Sequence, residues 1–457
     1  MVTIKASYVV TPKEETPKGP FCLSECDQFC HRNHTLSVYI YNPKHNNNNN
    51  INFNELVQRM RESLSQILVH YYPLCGRLNS IQGGRLKLDC NAKGAMLFEA
   101  ESTKSMAEFG DFSPNDGAIK ELIPKLDYSQ PIQDLPLFLA QVTKFQGGDG
   151  IAIGTALYHT ISDGLASIQF INSWAKLNRG DTLDPNDLPF LDRTVFTASR
   201  LPALRRFDHP EFKPPPLILG RTDTSEEQKK KTRFALLKLT AEQVQKLKQD
   251  ANIGYSESQQ ERPYSRFEAI GAHIWRCACI ARELDKNQPT MARTVVDVRN
   301  KANPPLPKNY FENALGITVT PACLVGDMIS EPLSYAAKWI REAMERVAND
   351  EYIRSQIETI ARGEYRAGMI FVGSPNIAFI SWMGMTVYEA DFGWGKPDYF
   401  GPGAVSPADI GMMALTPHGM APFSSSCIFR WLAWISSSST SFGIFYEIML
   451  WRQQWKV

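Results

Sequence analysis

No charge of one sign dominates this chain: 49 Lys and Arg stand against 48 Asp and Glu, a net charge of +1. A polyanion or an anionic lipid surface needs a basic field, so neither nucleic acid nor membrane is expected as a partner. An apolar run of the roughly 20 residues that a membrane-spanning helix requires is missing too. The first 20 residues alternate apolar and charged positions without a signal-peptide core. Nine cysteines, an odd number without framework spacing, suit a reducing compartment. Cys22, Cys26 and Cys30 are spaced by four and do not make a Cys-x-x-Cys knuckle, so no metal is expected. A Gly-x-Ser-x-Gly elbow is absent, which removes one common serine hydrolase design. The expectation left is a soluble, cytoplasmic globular protein.

At 457 residues, 43% hydrophobic and 21% charged, the chain folds and exceeds what one core usually holds. Short β-branched and aromatic runs at Tyr8–Pro12 and Leu36–Tyr41 predict strands. Leu56, Met60, Leu64, Ile67 and Leu68 repeat at helical spacing up to Tyr72-Pro73. Leu137–Phe145 and Ile151–Tyr158, joined by a glycine-rich turn, predict a hairpin of buried strands. Pro214-Pro215-Pro216 and the charged run Glu226–Lys231 mark an irregular crossover. Beyond it, helices are predicted over Arg266–Ala281 and Leu333–Val347, with a strand around Thr294–Val298. An α/β (α+β) fold of two domains follows, 1–196 and 233–457, with 197–232 as linker.

The second hairpin strand runs directly into His159-Thr160-Ile161-Ser162-Asp163-Gly164. A strand end holds an imidazole rigidly while the loop after it opens the ring to a reactant. Several chemistries compete for such a histidine. It could be structural; a metal site would need further donors nearby in sequence; a Ser-His-Asp hydrolase would need a nucleophile elbow. A general base acting directly on an acceptor needs none of these.

His159-Thr160-Ile161-Ser162-Asp163-Gly164 resembles the His-x-x-x-Asp-Gly motif of the plant BAHD family of CoA-dependent acyltransferases. That family's second signature stands here as Asp391-Phe392-Gly393-Trp394-Gly395, in the same order along the chain. Tyr72–Leu78, Ser265–Glu268, His273–Arg276, Asp297-Val298-Arg299, Tyr310–Asn313 and Pro375-Asn376 extend the likeness over about residues 1–414. The resemblance implies two similar chloramphenicol-acetyltransferase-like domains, each a mixed β-sheet flanked by helices, with a solvent channel between them. It implies acyl transfer from a CoA thioester, a co-substrate rather than a cofactor, in a monomer.

By this likeness His159 is the base, and Asp163 pairs with Arg299 to fix the loop. Asn313 and Trp382 line the reaction centre and could donate to an oxyanion. His34 and Tyr39 approach the acyl group, and Ser265 and Arg266 sit where CoA phosphates would meet a helix start. Asp391, Gly393, Trp394 and Gly395 take a structural role. The nearest likeness is to spermidine hydroxycinnamoyl transferases, through Pro136–Phe145, Arg276–Cys279 and Gly395-Lys396. The implied partners are a hydroxycinnamoyl-CoA donor and a polyamine, with Glu312, Glu364 and Glu389 as candidate carboxylates for its ammonium groups. The shikimate and quinate transferases are the alternative; their acceptor-gripping Arg position falls at Ala367, with Arg366 one step away. Residues 415–457, with four of the nine tryptophans and one acidic residue, Glu447, do not resemble the family's ending. From that tail the second domain is expected to lose a strand and a helix, which would make an inactive family member.

Overall fold

The computed structural model describes residues 1–42, 52–112, 118–197, 207–229, 233–255, 262–364, 373–403, 410–415 and 427–433. The asparagine run 46–50, Lys230, Lys231, Arg366, Ala367 and most of the tail lie outside them. The chain divides into two compact units, and the division is not contiguous. The first comprises Met1–Ala198, Pro304–Ala314 and Met385–Val405; the second comprises Ser199–Asn303, Leu315–Gly384 and Ser406–Val457. The run Asp391–Gly395, expected in a C-terminal domain, therefore belongs to the first unit, as do Asn313 and Ala314.

The first unit is built on a six-stranded mixed sheet. Its order is Val2–Val10, Ala95–Ser102, Phe138–Lys144, Ile151–Tyr158, His34–Tyr41 and Tyr399–Pro402. Only the pair Ala95–Ser102 and Phe138–Lys144 is parallel. Ile151–Tyr158 is buried at every position, which is why it reads as a continuous apolar run rather than an alternating one. It pairs with Phe138–Lys144 on one side and His34–Tyr41 on the other. Gly154 in this strand is obligatory: a Cβ there would stand 2.0 Å from the Leu122 carbonyl oxygen. The helix Phe53–His70 buries the predicted stripe of Leu56, Met60, Leu64, Ile67 and Leu68. The helix Gly164–Asn178 packs beside it, with the Trp174 indole donating to Ser63 Oγ at 3.0 Å.

The second unit holds another six-stranded sheet, ordered Leu315–Val319, Ala292–Asp297, Ile377–Ser381, Ile410–Leu415, Cys427–Ala433 and Arg233–Leu239. Trp275 and Ile274 of the helix Arg266–Ala281 share its core with Phe379 and Met413. The tail corrects one expectation. Cys427–Ala433 is a strand, seated between Ile410–Leu415 and Arg233–Leu239, so a tail strand is present in this sheet. Its Trp, Phe and Ile content suits a pleated partner even without period-2 alternation. Among the described residues no helix is long and apolar enough to cross a membrane.

Candidate active site

The buried strand Ile151–Tyr158 ends at His159, whose backbone N–H donates to the Asn33 carbonyl at 2.9 Å. The strand's two neighbours hold it in register, so the position of His159 is set by the sheet. The residue is half-buried. Its Nδ1 is buried with no hydrogen-bond partner among the described residues, which leaves Nε2 as the nitrogen able to reach a reactant. The His31 ring lies edge-on at 6.4 Å between centroids.

Every turn of the loop after His159 is tied down. The Ile161 N–H closes a turn on the Tyr158 carbonyl at 2.9 Å. Asp163 N-caps the helix Gly164–Asn178, with Oδ1 accepting from the Ala166 N–H at 3.0 Å. Its Oδ2 accepts from the Ala314 N–H, also at 3.0 Å. Ser162 and Ser167 bond through their hydroxyls at 2.9 Å. Asp163 is buried and accepts from two backbone amides. Arg299, its expected partner, lies in the second unit, where Nη1 donates to Asp297 Oδ1 at 2.7 Å.

Two residues that sequence reasoning passed over support the same loop, Arg193 by bonding to it and Asp27 by holding the groups that do. Asp27 opens the short helix Glu25–Phe29 in a capping box with Ser24. Its Oδ2 takes the Arg193 Nε at 2.7 Å, and its Oδ1 accepts from Asn313 Nδ2 at 2.8 Å. Arg193 Nη2 donates to the Ile161 carbonyl at 2.9 Å, and Asn313 Nδ2 donates to the His159 carbonyl at 2.9 Å. Glu312 adds a second carboxylate, 3.3 Å from Arg193 Nε. Burial first, then the nearby Asp27 charge, push the Glu312 carboxyl well above the ordinary range against the pull of Arg193. The Ser-x-x-Asp pattern at Ser24 was a legible cap signal; Arg193 carried none.

These contacts revise several expected roles. Both Nδ2 hydrogens of Asn313 are committed, to Asp27 and to the His159 carbonyl, so its amide is not left to bind an oxyanion. His34 is buried with Nδ1 at 2.9 Å from the Tyr128 hydroxyl and Nε2 at 2.8 Å from the Pro136 carbonyl. Neither nitrogen remains for an acyl group, and burial lowers the imidazole pKa to about 4. Tyr39 is fully buried against Phe400. In the second unit, Trp382 is buried and its backbone N–H donates to the Met413 carbonyl at 2.7 Å. Ser265 caps the helix Arg266–Ala281 in a capping box with Glu268, while Arg266 is exposed. Glu268 is buried; burial alone would raise its carboxyl, but bonds from Arg262, Arg341 and Ser265 bring it to about 2. Among the described residues no group of three or more His, Cys, Asp and Glu could hold a metal ion.

The Asp391–Gly395 run closes a tight turn. Asp391 Oδ1 accepts from the N–H groups of Gly393 at 2.8 Å and Gly395 at 2.9 Å. Gly393 has φ +105°, and a Cβ there would lie 3.2 Å from Arg179 Cβ. The turn's carbonyls accept from the end of the loop-bearing helix: Asn178 Nδ2 to Phe392 O and Arg179 Nη1 to Asp391 O, both 2.6 Å. Phe392 stands edge-on to Trp174 at 5.0 Å, and the Tyr41 hydroxyl donates to the Ala390 carbonyl at 2.7 Å.

A strand-end imidazole in a braced loop is accompanied by clear similarity to known proteins. A family model described as Transferase family matches residues 1–421. The chain is 41% identical to the hydroxycinnamoyl-CoA:piscidic acid hydroxycinnamoyltransferase of Actaea racemosa, covering 89% of this chain and 91% of that protein. It is 35% identical to the shikimate O-hydroxycinnamoyltransferase of Nicotiana tabacum, over 91% of this chain and 93% of that one. It is 33% identical to the hydroxycinnamoyl-CoA:5-hydroxyanthranilate N-hydroxycinnamoyltransferase of Avena sativa, over 89% and 91%. The crystal structure of vinorine synthase shares the fold, with a TM-score of 0.71 at 19% identity, covering 97% of this chain and 96% of that one. The protein is an acyl-CoA-dependent acyltransferase. It belongs to the BAHD acyltransferase family.

Proposed function

We propose that the protein moves a hydroxycinnamoyl group from its CoA thioester to an acceptor nucleophile, with His159 as the general base. The observation that carries this reading is the ring itself: half-buried at a rigid strand end, with Nδ1 enclosed. His159 Nε2 takes the proton from the acceptor N–H or O–H as the heteroatom attacks the thioester carbonyl. The tetrahedral intermediate collapses with cleavage of the C–S bond, and the imidazolium returns its proton to the departing CoA sulfur. No acyl-enzyme forms, so no cysteine is needed as a nucleophile. Arg266 is the cation assigned to the CoA phosphates.

The acceptor assigned from the sequence likeness is spermidine, acylated on nitrogen. Two of the three carboxylates considered for its distal ammonium groups already have cations. Glu312 lies 3.3 Å from Arg193, and Glu389 lies 2.8 Å from Lys396. A second reading is favoured by the acceptors in the relatives' names: piscidic acid, shikimate and 5-hydroxyanthranilate each carry a carboxylate. Purified protein is incubated with caffeoyl-, coumaroyl- and feruloyl-CoA against spermidine, shikimate, quinate, piscidic acid and 5-hydroxyanthranilate. N-acylspermidine as the main product supports the polyamine reading. Turnover of a carboxylate acceptor with spermidine untouched overturns it. His159→Ala abolishes turnover if the base assignment is right, and wild-type protein without turnover on any pair favours an inactive family member.

A further inference from the structure

The geometry points to Arg193 and Asn313 as positioning residues for acyl transfer, a buried bracket that holds the His159 loop by its backbone carbonyls. The inference rests on His159 being the base, and it assigns work to residues outside both signature motifs.

A general base gains rate only if its nitrogen is held within a fraction of an ångström of the proton it takes. Side-chain packing alone does not provide that at a loop, because the peptide units between 159 and 163 lie beyond the strand ladder. Here the two exposed-by-topology carbonyls are captured instead. Asn313 Nδ2 takes the His159 carbonyl and Arg193 Nη2 takes the Ile161 carbonyl, each at 2.9 Å. Asp27 joins the two donors from behind, with one oxygen on each. Arg193 and Asn313 therefore cannot swing independently; both are hinged on one carboxylate, itself fixed by the Ser24 N–H at 3.1 Å.

The cost of this arrangement argues that it serves more than stability. Arg193 is 3% exposed and Asp27 and Glu312 are 0% exposed, so three ionisable groups are taken from water together. Isolated buried ion pairs are poor sources of stability, and apolar residues of similar volume commonly do as well or better. A guanidinium is nevertheless present, and its planar fork reaches a carboxylate and a carbonyl in different directions at once, which an ammonium does not do. Burial and the Asp27 charge raise the Glu312 pKa against the pull of Arg193, so the charged form of Glu312 is disfavoured beside Asp27.

Arg193→Met and Asn313→Ala are made in the full-length protein and compared with wild type, His159→Ala and Leu122→Ala. Leu122 lies in the core of the same unit, away from the loop, and serves as a control for destabilisation. Folded fraction is read by circular dichroism at the assay temperature, and kcat and KM for the acyl-CoA are normalised to it. Each bracket variant is expected to lose about 10- to 100-fold in kcat with KM within about twofold of wild type. Leu122→Ala keeps wild-type kcat per folded molecule. Folded bracket variants with wild-type kcat overturn the inference while leaving His159 as base, provided His159→Ala is inactive. Failure of both bracket variants to fold also overturns it, because the bracket is then a scaffold element. Wild-type turnover by His159→Ala removes the general-base reading itself.

Discussion

Asp163→Ala is the substitution whose cost the structure specifies most directly. The wild-type carboxylate is 1% exposed and accepts two backbone N–H groups, from Ala166 at the helix start and from Ala314. Removing the cap costs about 0.5–2 kcal/mol. The Ala314 N–H, in a residue that is 0% exposed, then loses its acceptor, and a buried unpaired donor costs about 1–3 kcal/mol. The two sites are separate, so the total is about 2–5 kcal/mol, equivalent to a fall in Tm on the order of 10 °C. Asp163→Asn keeps an oxygen for Ala166 but turns an amide toward Ala314, and should cost only the second part. Thermal melts by circular dichroism rank the three proteins. Hydrogen exchange at the Ala166 and Ala314 amides reads the two bonds separately: both amides lose protection in the alanine variant, and Ala314 alone in the asparagine variant. An Asp163→Ala protein that melts within about 1 °C of wild type with both amides still protected would refute the reasoning. Activity should fall with it, since a 1 Å displacement of the His159 ring costs about 100-fold.

The other expected outcomes bear on the second motif and on pH. Gly393→Ala forces a side chain onto φ +105° and to within 3.2 Å of Arg179 Cβ, and should cost about 1–3 kcal/mol. Because the turn anchors the end of the helix that carries the His159 loop, the variant lowers Tm and kcat per folded molecule together; normal stability with lost kcat would mean the motif acts in the chemistry. His34 titrates near 4 when folded because burial opposes its charge, and near 6.5 when unfolded. The unfolded chain binds the extra proton between those values, so this contribution is intact above pH 6.5 and falls by about 1.4 kcal/mol per unit as pH drops toward 4. Urea midpoints at pH 7 and pH 4.5 measure it, and His34→Gln should flatten that part of the slope.

The parts of the fold that were legible in the sequence are those governed by local period. The helix Arg266–Ala281 lies at its expected residues because Ser265 supplies an N-cap and the residues after it are apolar enough to be buried nearly all round. The hairpin of Phe138–Lys144 and Ile151–Tyr158 was visible from two apolar runs and a glycine-rich turn. His159 and Asp163 were legible for the same reason, since strand, loop and helix cap are consecutive. What could not be read locally was who bonds to the loop. Asp27, Arg193 and Asn313 have no sequence proximity to one another, and a lone Arg after Asp192 has no periodic signature. Asp163 also accepts from two backbone amides, one of them contributed by a segment 151 positions away. In the tail the strand Cys427–Ala433 went unread because no period of 2 marks it, while the family match ends at residue 421.

The discontinuity of the first unit gives a physical reason for having two distant motifs in one site. The helix Gly164–Asn178 carries the loop at its start and would tilt the loop if its own axis moved. Its start is held by Asp163 on Ala314, from the excursion Pro304–Ala314, and its end by Asn178 and Arg179 on the carbonyls of Phe392 and Asp391, from the excursion Met385–Val405. A helix of 15 residues spans about 22 Å, so these anchors act at opposite ends of a stiff rod. Pinning one end alone leaves rotation about it; pinning both removes that freedom and transmits the constraint to the loop through the cap. The chain returns to this unit twice, and each return delivers an anchor for the same helix. The aspartate-glycine-tryptophan turn can then be indispensable to the position of His159 without containing a group that moves a proton.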